Sequence, residues 1–133
     1  NIFFVILVCI FSDIGGYVVG KTVGGKKLTK ISPNKTVSGS IGSFVFSFIP
    51  LFIFSILFYE KINSLFINLI FLSIFISLIS QVGDLFISFF KRKAGVKDTG
   101  NILPGHGGIL DRIDGMIFAI PVTFIFNEMF LKL

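Results

Sequence analysis

The chain has 133 residues, of which 53% are hydrophobic, 19 are Phe and only 14% are charged, with a formal net charge of +5 and a mean hydropathy of +0.94. No soluble domain of this size hides so much apolar area, and a single cysteine, Cys9, rules out a disulfide scaffold. The composition predicts an all-α, polytopic membrane bundle forming one region over 1–133, with lipid covering part of its surface.

Four apolar segments follow in chain order. The first runs from about Ile2 to Val19, without an initiator Met, which is expected of the C-terminal part of a longer chain. Asp13 and the glycines after it do not resemble the small-residue cleavage site of a signal peptide. Ser12, Asp13, Gly16 and Gly20 fall on or near one face, and Cys9 reads as packing. The second segment, about Val37 to Phe58, opens with Ser38, Gly39, Ser40, Gly42, Ser43 and Ser47, small residues that let helices approach closely. The third, about Ser64 to Phe90, carries Ser73, Ser77, Ser80, Asp84 and Ser88 along one face, with Gln81 beside them. The fourth, about Ile113 to Leu131, holds Glu128 as an interfacial charge. Each is near the roughly 20 residues that span a bilayer as a helix, and no ten-residue alternation suggests a barrel.

The connections sort the charges. Lys21, Lys26, Lys27, Lys30 and Lys35 lie between the first two segments, and Lys91, Arg92, Lys93, Lys97 and Arg112 between the last two; only Lys61 and Lys132 fall elsewhere. Four crossings put both basic loops on one side, and the positive-inside rule makes that side cytoplasmic, with the Glu60–Asn63 turn outward. Lys26, Lys27 and Lys30 read as contacts to lipid headgroups, each worth about 1 kcal/mol near an anionic surface. Asp13 and Asp84 sit within apolar segments, where a carboxylate needs a cation, a metal or water; functional roles follow by default.

From Ser88 to Asp114 the sequence reads SFFKRKAGVKDTGNILPGHGGILDRID. Asp111 and Asp114 share a helix face and, with Asp84 and Asp98, offer hard oxygen ligands at the membrane surface, a donor set suited to Mg²⁺. Zinc fits poorly, because His106 is the only histidine. Gly105, Gly107 and Gly108 permit close backbone approach to an anion. Carboxylates for metal beside cations for phosphate point to phosphoryl or nucleotidyl transfer. A channel or transporter is the alternative of another class, but it would spread polar residues through the full depth of several segments.

The block Ser88-x-x-Lys91-Arg92, Lys97-Asp98, Pro104-x-His106-Gly107-Gly108-x-x-Asp111-Arg112-x-Asp114 resembles, without a gap, the C-terminal signature of the phosphatidate cytidylyltransferase family. Ser12-Asp13-x-Gly15 with Tyr17, Gly20-Lys21, Ser32-Pro33-Asn34-Lys35-Thr36 and Val82-Gly83-Asp84-Leu85 resemble its other shared blocks. Asn34 and Val37 stand where relatives often have Gly and Trp, and the resemblance implies that further N-terminal helices belong to the longer chain. The resemblance implies transfer of a cytidylyl group from CTP to phosphatidate, giving CDP-diacylglycerol and pyrophosphate. An archaeal ether-lipid enzyme shares much of the signature, whereas the D-G-x-x-A-R run of CDP-alcohol phosphotransferases is absent. Carried over by position, Asp84, Asp98, Asp111 and Asp114 become ligands for Mg²⁺, a second cation being allowed, with Asp13 as a second metal site or a support for Lys35. Lys35, Lys91, Arg92, Lys97 and Arg112 become phosphate contacts, with Ser32, Gly107 and Gly108 beside the nucleotide and His106 as loop anchor, phosphate contact or base. The partners implied are CTP, phosphatidate and membrane lipid, with no nucleic acid; a homodimer is allowed. The location implied is a bacterial inner membrane with the site facing the cytoplasm.

Overall fold

The computed structural model describes residues 2–30, 32, 34–57, 66–96 and 110–126, the last group by backbone alone at 110–113 and 126. These residues form helices α1 (Ile2–Val23), α2 (Val37–Phe46), α3 (Ile49–Leu57), α4 (Phe66–Lys93) and α5 (Leu110–Phe126). Among the described residues the only β pairing is one isolated antiparallel bridge, Lys27 to Thr36. Ile2–Val23, Val37–Leu57 and Phe66–Lys93 are long and apolar enough to cross a membrane. The described part of α5 has 17 residues, about 25 Å at helical rise and short of a hydrocarbon core of about 30 Å. Residues 127–131 of the expected fourth segment, with Glu128, lie outside the described residues.

Two expected boundaries are corrected. The basic residues Lys21 and Lys91–Lys93 belong to the last turns of α1 and α4, not to loops, because both helices run past their apolar stretches. Cations there also complement the carbonyl ends of the helices. The second segment is two helices, not one. Pro50 cannot donate to a carbonyl one turn back, and it disfavours helical geometry at the residue before it. Ser47 occupies the break, its hydroxyl donating to the Phe44 carbonyl at 2.6 Å and its backbone N–H to Ser43 at 3.0 Å.

Packing follows the small residues. On α1 and α2 the glycines meet so closely that a Cβ at Gly42 would lie 2.8 Å from the Gly15 carbonyl and 2.5 Å from Val19. The apolar core joins α1, α4 and α5 through Val8, Cys9, Ile76 and Ala119, all fully buried, so Cys9 packs as expected. Outward-facing Phe52, Ile56 and Phe71 are each more than 60% exposed, a surface that only lipid suits. The serines of α4 face inward: Ser73, Ser77 and Ser80 have no exposed surface, and Ser77 pairs with buried Ser12 at 2.8 Å.

Replacing Gly42 by Val should force α1 from α2 and cost about 1–3 kcal/mol, the range for overpacking. A thermal midpoint in detergent equal to that of the unchanged protein would show that the approach tolerates a side chain.

Candidate active site

The site begins with the loop between α1 and α2. Leu28 N–H donates to the Lys35 carbonyl at 2.8 Å and Val37 N–H to the Lys26 carbonyl at 3.0 Å, so residues 26–28 lie alongside 35–37. Lys35 N–H bonds to the Ser32 carbonyl at 3.1 Å, a tight turn around Asn34. Thr36 then caps α2, its hydroxyl accepting from Gly39 N–H at 3.1 Å. A hairpin and a helix cap on either side thus fix the backbone of Lys35.

Its side chain reaches α4. Lys35 Nζ lies 2.8 Å from Asp84 Oδ2, with the two side chains 33% and 15% exposed. Asp84 is nine residues before the end of α4 at Lys93, about 14 Å along the axis. The expectation of carboxylates at the membrane surface is therefore refined. At 28 residues α4 is about 12 Å longer than a hydrocarbon core, enough to bring Asp84 near its boundary.

Around this pair lies a cavity of about 500 Å³, with Asp13, Asp84 and Asp114 in its wall beside Lys35. Asp13 is within electrostatic reach of Asp84 and Lys35, and Asp114 within reach of Asp84 and Lys91. Gly115 makes the Asp84–Asp114 approach possible, since a Cβ there would lie 2.5 Å from Asp84 Oδ1 and 2.4 Å from Ser80 Oγ. Both of those oxygens are buried without a hydrogen-bond partner among the described residues. Ser40 donates to Gln81 Oε1, and Gln81 Nε2 donates to Ser77 Oγ at 3.3 Å, closing a polar seam across α1, α2 and α4.

The expected site residues divide into three groups. Lys35, Asp84 and Asp114 come together, with Lys91 on the adjoining last turn of α4. Arg92 is exposed on that turn, and Ser32 enters through its carbonyl without lining the cavity. Lys97, Asp98, His106, Gly107 and Gly108 lie outside the described residues, as do the side chains of Asp111 and Arg112 on the first turn of α5. Gln81 and Gly115 were not expected in the site. The signal for Gln81 was an amide in an apolar helix three residues before an aspartate; nothing in the sequence singled out Gly115.

Among the described residues no three His, Cys, Asp or Glu side chains gather into a metal-holding group. Asp84 and Asp114 still suit Mg²⁺, which binds through one or two carboxylates and takes its remaining ligands from phosphates and water. The unpartnered Asp84 Oδ1 lies beside Gly115, where a cation would satisfy it.

The chain is thus an apolar helical bundle of the membrane-protein class, with three carboxylates and a lysine around one cavity. Comparison with known proteins narrows this: a sequence model of the cytidylyltransferase family matches residues 1–130, and the chain belongs to that family. It is similar to the phosphatidate cytidylyltransferase of Bacillus subtilis (strain 168), 43% identical over 130 residues, which are 97% of this chain and 48% of that protein. The protein of that name from Rickettsia bellii is 44% identical over 128 residues, covering 90% of this chain and 54% of its own length. That from Helicobacter pylori is 41% identical over 119 residues, covering 89% and 43%. The chain thus spans about half the length of the curated relatives it matches.

Gly115→Ala should cost about 1–3 kcal/mol by pressing on Asp84 and Ser80. Adding Ser80→Gly vacates the nearer contact and should return part of that loss in thermal unfolding; a double variant no more stable than Gly115→Ala would show the crowding to lie elsewhere.

Proposed function

We propose that this chain forms the catalytic half of a phosphatidate cytidylyltransferase, joining CTP and phosphatidate into CDP-diacylglycerol with release of pyrophosphate. The observation that carries the reading is Lys35 Nζ at 2.8 Å from Asp84, with Asp114 in the same cavity wall, in a chain of the cytidylyltransferase family. A phosphate oxygen of phosphatidate attacks the α-phosphorus of CTP; the bond to the bridging oxygen breaks, and pyrophosphate leaves with its electron pair. The nucleophile is already anionic, so no strong general base is needed. The demand is instead to hold two mutually repelling anions together and to offset charge on the leaving group.

The residues of this chain meet that demand in part directly. Lys35, fixed at its backbone and oriented by Asp84, presents an ammonium to a phosphate oxygen at the cavity wall. Lys91 and Arg92, on the last turn of α4, add positive charge at the same end. Asp84 and Asp114 would hold Mg²⁺, which when bound screens the triphosphate and polarises its phosphorus–oxygen bonds. A cavity of about 500 Å³ is within the roughly 300–1,000 Å³ typical of small-molecule sites. Placement of the basic loops follows the positive-inside rule and supports a site opening to the cytoplasm at a bacterial inner membrane.

In the full-length protein, Asp84→Asn and Asp114→Asn should each lower CDP-diacylglycerol formation by about two orders of magnitude, close to 2.7 kcal/mol of barrier. The assay follows labelled CTP and phosphatidate at saturating Mg²⁺, with membrane insertion checked in parallel. If either variant keeps half the activity or more, that carboxylate is not essential. If the unchanged protein forms no CDP-lipid while conducting ions, the enzymatic reading fails in favour of a channel.

A further inference from the structure

The helices pack as two pairs, α1 mainly on α2 and α4 mainly on α5. Each pair is close-fitting for its own reason: facing glycines in the first, and Gly83 against Phe118 with Gly115 against Asp84 in the second. Lys35 comes from the first pair, whereas Asp84 and Asp114 come from the second. The geometry of the site therefore depends on how one pair is set against the other.

At the level of the site, polar bonds join the pairs. Ser12 on α1 meets Ser77 on α4 at 2.8 Å, and Ser40 on α2 donates to Gln81 on α4. Gln81 also donates to Ser77 at 3.3 Å, which makes it the shared member of both links. It lies three residues before Asp84, on the same helix face and in the wall of the same cavity. Lys35 cannot set this register alone, because its long, flexible side chain can follow a moving carboxylate. The Gln81 amide sits on a shorter stem and uses both ends: its oxygen accepts from Ser40 across the helices, while its nitrogen braces on Ser77 of its own helix and so fixes the direction in which the oxygen points.

We propose that Gln81 is the positioning residue of the site, its amide holding α4 against α2, and bracing the Ser77 hydroxyl that meets α1, at the depth that places Asp84 on Lys35. The inference rests on the enzymatic reading above for its consequence in catalysis, but not for its geometry. One interhelical hydrogen bond contributes little to whole-fold stability in a membrane. Small misplacement of reacting groups, by contrast, is costly in rate. Loss of Gln81 should therefore be felt in turnover more than in folding.

The test uses the full-length protein with Gln81→Leu, Ser40→Ala and both together. Gln81→Leu should lower kcat by about tenfold or more, with KM for CTP changed by less than about threefold. Ser40→Ala should act in the same direction, and the double variant should be no worse than Gln81→Leu alone, since both changes cut one link. A raised KM at unchanged kcat would make Gln81 a substrate contact and overturn the proposal, as would multiplicative losses in the double variant. A second readout needs no activity: spin labels at Ile41 and Val82, exposed on α2 and α4, report the separation of those helices, and Cys9 is buried away from the label. The distance distribution should broaden or shift in Gln81→Leu; an unchanged distribution overturns the proposal. If the unchanged protein makes no CDP-lipid yet Gln81→Leu still moves the labels, the positioning role stands and the enzymatic reading falls.

Discussion

The ion pair between Lys35 and Asp84 is the interaction around which the charged site is arranged. A carboxylate placed in an apolar helix must meet a cation, a hydrogen-bond donor or water. Here the cation comes from a residue 49 positions earlier, on the loop that opens α2. The pair ties the loop before α2 to α4 and leaves Asp84 Oδ1 beside Gly115, without a hydrogen-bond partner among the described residues. Asp13, Asp84 and Asp114 line one cavity wall beside Lys35.

Small residues let these groups meet. Glycines draw α1 and α2 together, so the loop between them ends close to α4, and Gly115 lets α5 lie directly against the Asp84 carboxylate. The buried serines and Gln81 supply direction, which apolar packing in lipid does not. The site is thus a consequence of backbone proximity first and of charge second.

Much of this was legible in the sequence, for physical reasons. Apolar length identified three of the four expected crossings, and the serine stripe with Asp84 identified the inward face of α4, because a period near 3.6 survives any detail of packing. Charged residues beyond an apolar stretch do not mark a helix end, so Lys21 and Lys91–Lys93 were misplaced into loops. Pro50 gave the signal for the break in the second segment, but apolar continuity from Val37 to Leu57 concealed it. Pairing was less accessible than membership. Asp13 and Asp84 both needed a partner, and only the fold gives Asp84, rather than Asp13, the contact with Lys35. Gly115 had no signature, since its requirement arises from atoms on another helix.

The most direct test of this account is a double-mutant cycle on Lys35→Met and Asp84→Asn, read as unfolding free energy in detergent. If the pair joins the loop to α4, the combined loss falls short of the sum of the single losses by about 0.5–3 kcal/mol, the range for residues in contact. Additive losses would contradict it, because they would mean that Lys35 and Asp84 stabilise the bundle independently of each other.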